Sequence, residues 1–401
     1  MPRQERRCRQ HNGARLKPKM TSPAPVFSLA SPKGGEGRGE EAQGFTAQIP
    51  SPQPSPRSGG ERETGAVSSC APNNVTVAIL SDIHYAAGAE RARGNDYEFR
   101  TVAHPLARAL VRAFRHFIWM RHPLDQAPQL DRFLAAVGPV DYLVANGDYS
   151  CDSGFIGVSD PAAFESAQEC LGKLRAKFGD RARFTFGDHE LGKPTLFGGA
   201  GSLRLASWRC ATQQLGLSAL WQLSIGRYLL LGVASPLIAL PANQPDALPD
   251  EWPEWQRLRE THLAEIRAAF DTLQPNQRVL LFCHDPTALP FLWREESVRR
   301  RLPQVEQTVI GHLHTPLILW KSRMLSGIPP VRFLGRSIAR FTSALHEAHH
   351  WWPFRVRLCP ALSGTELLND GGYYTVQIDP AANRPARFTF HPLPRQTSKA
   401  K

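Results

Sequence analysis

No apolar run in this 401-residue chain approaches the ~20 residues that a membrane-crossing helix needs. The opening MPRQERRCRQHNGARLKPKM is basic, but no apolar stretch follows it, so a secretory leader is not expected. Cysteine is sparse: seven residues, at 8, 70, 151, 170, 210, 283 and 359, an odd number with no pair spaced as a zinc ribbon or redox motif. That argues against a disulfide framework and for a reducing, cytoplasmic setting. Acidic residues are short relative to basic ones, 36 against 48, leaving a net charge of +12. A basic surface attracts nucleic acid, but +5 of the excess falls in residues 1–70 and the other +7 is spread over 331 residues. A diffuse excess weakens the nucleic-acid reading. A protein acting on phosphate esters, or resting near anionic lipid, fits the charge equally well.

What is present is a globular composition, 42% hydrophobic and 21% charged, enough to bury a sizeable core. Residues 1–72 are the exception. They are rich in Pro, Gly, Ser, Arg and Glu and hold few large apolar side chains, so burial cannot offset the entropy of ordering them, and a disordered tail is expected. Within them SPKGGEGRGE and SPQPSPRSGGE resemble two arms of an inverted repeat translated as protein, which points to a misassigned start site. One domain is expected over 73–394, with an insertion at 85–134, a C-terminal cap and strands at 320–394, and a polar tail at 395–401.

The domain opens on VTVAILSDIH, residues 75–84: an apolar, partly β-branched run that stops at a carboxylate and an imidazole two positions apart. It reads as a buried strand delivering Asp82 and His84 to its carboxyl end, where ligands gather in open α/β sheets. One such end is weak, because Asp commonly closes a turn. The pattern then recurs. Residues 140–145 run into Asn146-Gly147-Asp148, residues 183–186 into Gly187-Asp188-His189-Glu190, residues 278–283 into His284-Asp285, and residues 308–310 into Gly311-His312-Leu313-His314. Residues 227–235 form a further buried strand with no ligand-type residue at its end. Helices are expected at 161–178, capped by Asp160 with Pro161 first, at 254–273, where His262 reads as a packed residue, and at 338–350. Three β-like runs, 354–358, 373–378 and 386–391, suit a second sheet packed on the first.

Asp82-x-His84, Gly147-Asp148, Gly187-Asp188-His189-Glu190, His284 and Gly311-His312-x-His314 resemble, in order, the five blocks of the calcineurin-like metallophosphoesterase superfamily. The resemblance covers about residues 75–320. It implies a four-layer αββα sandwich, two mixed sheets flanked by helices, and hydrolysis of a phosphomonoester or phosphodiester. It implies two divalent ions, Mn, Fe or Zn, which clamp the ester and hold a bridging hydroxide as nucleophile. Asp82, His84 and His314 would hold the first ion, Asp148 would bridge, and Asp188, His284 and His312 would complete the second site. His189 would act as general acid. Where the family usually has Asn this chain has Asp188, an added negative charge that should bind metal more strongly and make the bridging water less acidic. The residues after Asp148 lack the Asp-Arg-Gly continuation of the protein-phosphatase branch. Asp152 and Glu190 read as supporting residues.

Two other function classes are carried forward. A non-catalytic binding scaffold of the same fold would follow if Asp188 weakens the site. A zincin-type protease is suggested by His346-Glu347-Ala348-His349-His350, which satisfies H-E-x-x-H through His346, Glu347 and His350, although Pro353 should end any helix there. Substrate choice is expected to lie in the insertion, the Gly-containing loop at 191–206, and the C-terminal part. Residues 104–122 place Leu106, Ala109, Leu110, Ala113, Phe114, Phe117 and Ile118 on one helical face and Arg108, Arg112, Arg115, Trp119 and His122 on the other. The first reading is a helix packed by its apolar face with the basic face in solvent. The second is a cap that meets anionic lipid or a nucleotide- or lipid-linked substrate. No protein partner is inferred.

Overall fold

In strand β1 (Val75–Leu80), successive side chains part to opposite faces. Val77 and Ile79 pack with Val144, Leu280, Phe282, Val309 and Val376, while Ala78 and Leu80 pack with Leu130, Phe133 and Leu171 from helices. This alternation defines the layers of the computed structural model, which describes residues 74–102, 104–193, 203–331, 336–368 and 370–393. The expected N-terminal tail, the middle of the 191–206 loop and the last residues lie outside the described residues.

The other strands are β2 (Tyr142–Ala145), β3 (Ala182–Phe184), β4 (Leu220–Ile225), β5 (Tyr228–Val233), β6 (Arg278–Cys283), β7 (Val305–Ile310), β8 (Val356–Leu358), β9 (Gly372–Ile378) and β10 (Arg387–Pro392). They form two five-stranded mixed sheets, ordered β10-β9-β1-β2-β3 and β4-β5-β6-β7-β8. β1, β2 and β3 run parallel, as do β5 through β8; β9 is antiparallel to both β1 and β10, and β4 to β5. The longer helices are α1 (Pro105–Phe117), α2 (Ala127–Ala136), α3 (Pro161–Phe178), α4 (Trp252–Asp271), α5 (Pro316–Met324) and α6 (Arg336–Glu347). α2 and α3 cover the first sheet, and Leu263, Ile266 and Phe270 of α4 cover the second, giving the four-layer αββα sandwich. α3 begins as its sequence dictates: Asp160 accepts from the amides of Ala162 and Ala163, and Pro161 takes the first position. His262 is buried in α4, its Nε2 accepting from the Ala234 amide at 3.1 Å. No helix among the described residues is long and apolar enough to cross a membrane.

Two expectations are corrected. The three C-terminal β-runs do not build a sheet of their own: β8 extends the second sheet beside β7, and β9 and β10 complete the first beside β1. Their amphipathic pattern specifies a face to bury but not a pairing partner. The second correction concerns α1, which, with the residues just after it, turns Arg108, Arg115 and Trp119 inward rather than its apolar face. Arg108 donates to the Val102 carbonyl, Arg112 pairs with Asp96 at 2.9 Å, and the largely buried Arg115 pairs with Glu98. Leu106, Leu110 and Phe117 point outward. The physical reason lies in Glu98, which is buried beside the helix and binds the Arg115 guanidinium more strongly than solvent rewards its exposure.

Candidate metal centre

Five parallel strands, three in one sheet and two in the other, deliver their carboxyl ends to one seam. β1 leads into Asp82 and His84, β2 into Asp148, β3 into Asp188 and His189, β6 into His284, and β7 into His312 and His314. The two sheets' loops touch there, where the His312 amide donates to Asp82 Oδ1 at 2.9 Å. Asp82, His84, Asp148, His312 and His314 all have φ between 48° and 59°. Residues with a Cβ avoid this left-handed region at a cost of about 1–2 kcal/mol each, and such strain persists where the surroundings over-determine it. Glycine relieves the crowding beside them. A Cβ on Gly147, itself at φ 92°, would lie 2.7 Å from His284 Nδ1, and one on Gly311 would overlap Ser81 Oγ.

The side chains converge in overlapping groups whose ligand atoms all lie within 4.8 Å of one another: Asp82, His84 and His314; Asp188, His284 and His312; and, joining them, Asp82, Asp148 and His284. His84 Nε2 stands 3.1 Å from His314 Nε2, which stands 3.2 Å from Asp82 Oδ1. His284 Nε2 lies 3.2 Å from Asp148 Oδ2 and 3.5 Å from Asp188 Oδ1, and His312 Nδ1 lies 2.9 Å from Asp188 Oδ1. His189 joins from the side, with Nε2 3.8 Å from Asp148 Oδ2.

The rings are held from behind. His284 Nδ1 donates to the Asn146 carbonyl at 2.5 Å and His189 Nδ1 to the Ser150 carbonyl at 2.9 Å, which aims each Nε2 into the site. Glu190, fully buried, accepts from the amides of Gly187 (2.7 Å), Tyr149 (2.8 Å) and Asp148 (3.1 Å) and so ties the β2 and β3 loops together. Asp152 accepts from the amides of Ile156, Gly157 and Lys193.

Burial works against every charge here, and the neighbours decide which groups keep theirs. Burial lifts Asp82 to about 7, helped by the charge of Asp148. Asp148 and Asp188 are lowered in spite of burial, Asp148 by His189 and His284, Asp188 by His312. The same attraction overcomes burial at His312, raised to about 10 beside Asp188, and at His284, raised by Asp148 and Asp82. Burial and the neighbouring imidazoles push His84 well down, and burial takes His314 to about 3. One half of the cluster is thus a set of ion pairs, and the other presents two neutral imidazoles.

A family model described as calcineurin-like phosphoesterase matches residues 75–316. The chain belongs to the calcineurin-like phosphoesterase family. No curated protein matches it. Among solved structures it is similar to a phosphopantetheinyl hydrolase from Mycobacterium tuberculosis, at 15% identity over 61% of this chain and 85% of that one, with a TM-score of 0.31. It is similar to a dimetal phosphatase from Danio rerio (13% identity, 76% and 92% covered, TM-score 0.34) and to a metallophosphoesterase from Sphaerobacter thermophilus (12%, 81% and 90%, 0.28).

In this calcineurin-like family member the cluster forms one wall of a cavity of about 450 Å³. The opposite walls come from the insertion and from around α5: Phe99, Val111, Phe114, Trp119, Met120 and Ile318 make them largely apolar. The Trp119 ring lies 4.3 Å from the His314 ring. Lys193 Nζ, also in the wall, donates to Glu98 Oε1 at 2.5 Å and to the Cys151 carbonyl at 2.7 Å. Sequence reasoning placed Trp119 on a solvent face and passed over Glu98 and Lys193. The usable signal was charge: Glu98 is an acid within an arginine-rich insertion. The protease-like motif is elsewhere. His346 Nδ1 bonds to the Ile328 carbonyl, Glu347 pairs with Arg294, and the His350 ring lies against Trp293.

Proposed function

We propose that the chain is a binuclear-metal-dependent hydrolase of phosphate esters. The observation that carries this reading is the convergence of Asp82, His84, His314, Asp148, Asp188, His284 and His312 from five strand ends. The donor set fits divalent Mn, Fe or Zn: imidazole nitrogens and carboxylate oxygens, with the buried His284 Nε2 aimed into the cluster between Asp148 and Asp188. Asp82, His84 and His314 would hold one ion, Asp188, His284 and His312 the other, and Asp148 would lie between them. Bound there, the ions would supply a clamp on phosphoryl oxygens and an acidified water. The protein's own residues do the rest. His189, its Nδ1 proton fixed on Ser150, carries at Nε2 the proton that the leaving-group oxygen takes up. Glu190 keeps the Asp148 and Asp188 loops in register. The apolar walls exclude water and favour esters whose leaving group carries an apolar portion. The cysteine spacing supports a reducing, cytoplasmic setting.

Metal analysis of the purified protein, with a screen of soluble aryl phosphate mono- and diesters in Mn, Fe and Zn, tests the reading. Two ions per chain and hydrolysis abolished by Asp148→Asn are expected. A metal-free, inert protein would leave the binding-scaffold reading in its place, and hydrolysis that survives Asp148→Asn would undo the mechanism.

A further inference from the structure

The inner side of α1 lines the cavity, and its outer side is apolar and uncovered by any described residue. At about 100° per residue, Leu106, Leu110, Ala113 and Phe117 share one stripe, and the large members are 70%, 71% and 67% exposed. Phe114 and Ile118, each 42% exposed, form the edge of that stripe, and Phe114 is also part of the cavity wall. Leu367 and Leu368, 54% and 46% exposed, extend the patch; the Leu367 amide donates to the Ile118 carbonyl at 3.2 Å. A contiguous exposed apolar surface of this kind marks an interaction site.

Charge says what covers it. α1 contains no acidic residue; its Arg108 and Arg115 turn inward, while Arg112, half-exposed beside Asp96, and His116 face out. Along its other edge runs a groove lined by Arg100, Arg112, His116, Arg121 and His122, with Asp96 the one acid among its described residues. An apolar stripe with a cationic border is the form of a helix lying in a bilayer interface, where the stripe enters the acyl boundary and the border meets anionic headgroups. A second copy would bring the same cationic border, on a chain of net charge +12, against itself.

We propose that α1 is an in-plane interfacial helix by which this protein docks on an anionic bilayer, with the mouth of the cavity at Phe114 beside the lipid. The inference concerns binding and stands apart from the reaction proposed above, so its readout is not hydrolysis.

The full chain is sedimented with vesicles of phosphatidylcholine containing phosphatidylglycerol, and with phosphatidylcholine alone. Binding to the anionic vesicles, weakened by added salt, is expected. Leu110→Glu with Phe117→Glu should weaken it at least about tenfold, since interfacial affinity scales with the apolar area inserted. His116→Glu with Arg121→Glu should weaken it through charge. Both pairs lie on the surface and should keep the parent's melting temperature and its metal content. If the first pair does not fold, Leu106→Ser with Leu110→Ser carries the same test. Absence of vesicle binding, equal binding to neutral vesicles, or full binding by the Leu110/Phe117 variant would each overturn the proposal. So would a concentration-dependent dimer, seen by sedimentation velocity without lipid binding and abolished by the same variant.

Discussion

Replacing Glu190 tests whether the loops that carry the candidate metal ligands are held by one buried side chain. Its two carboxylate oxygens accept from three amides, those of Asp148, Tyr149 and Gly187, at 2.7 to 3.1 Å, in a place that water does not reach. Glu190→Ala would leave all three N–H groups buried and unpaired. At about 1–3 kcal/mol for each unsatisfied buried group, partly relieved by local relaxation, the loss of stability should be about 3–6 kcal/mol. That is a large fraction of the total for a folded domain, about 5–15 kcal/mol. Glu190→Gln retains one carbonyl oxygen, able to accept from two of the amides, but turns an NH₂ group toward the third, so about 1–3 kcal/mol is expected. Denaturant unfolding gives both numbers from the shift in midpoint at constant slope. The same preparations, analysed for bound Mn or Zn, should show a larger loss of metal in the Ala variant, because Asp148 is reached through the amide that Glu190 holds. A Glu190→Ala protein destabilised by less than about 1 kcal/mol would refute the reasoning, since three buried amides cannot be abandoned that cheaply.

Other perturbations address other parts of the molecule. Gly311→Ala should destabilise the fold by about 1–3 kcal/mol and release metal, because its Cβ would overlap Ser81 Oγ and Asp82 Oδ2; a normal melting temperature with full metal content would contradict this. Asp188→Asn should leave an active protein with weaker metal binding and a lower pH optimum. Complete loss of metal and activity would show instead that the carboxylate paired with His312 is required. Burial lowers the pKa of His262 in the folded state below its ordinary 6.5. The unfolded chain therefore takes up a proton first as pH falls. The stability of the neutral, buried ring is fully present above about pH 6.5 and declines below it, toward the folded pKa, at up to about 1.4 kcal/mol per pH unit. His262→Gln should flatten that part of the stability profile, and identical acid slopes in denaturant titrations of the two proteins would rule the explanation out.

The candidate metal-ligand positions were legible in the sequence because each follows a short buried strand, and the sequence marks both the strand and its abrupt polar end. Legibility stopped where partner choice began. β9 and β10 were recognisable as strands, but nothing local says that they pair with β1 rather than with β8. β4, LWQLSI, passed unremarked because its outward positions, Gln222 and Ser224, and its partly covered Leu223 dilute the apolar run. The amphipathicity of α1 was plain, yet which face turns inward depended on the buried Glu98. A helical wheel shows the helix and not what it packs against. Trp119 reaches the cavity only through the path of the insertion and Lys193 only through the loop after β3, neither of which leaves a periodic trace.

The placement of β8, β9 and β10 governs how this chain is made as well as how it rests. The family model ends at residue 316, but β1 finds one of its two neighbours only when Val75 meets Ile378, and β7 gains its outer neighbour only at residue 356. As the polypeptide leaves the ribosome, the first described strand waits with one edge open until β9 has been synthesised. Pairings so distant in sequence close late, and an open edge invites foreign strands meanwhile. A nascent chain arrested near residue 320 would carry all seven proposed metal ligands while both sheets still lacked strands, and would depend on chaperones until β8, β9 and β10 arrived.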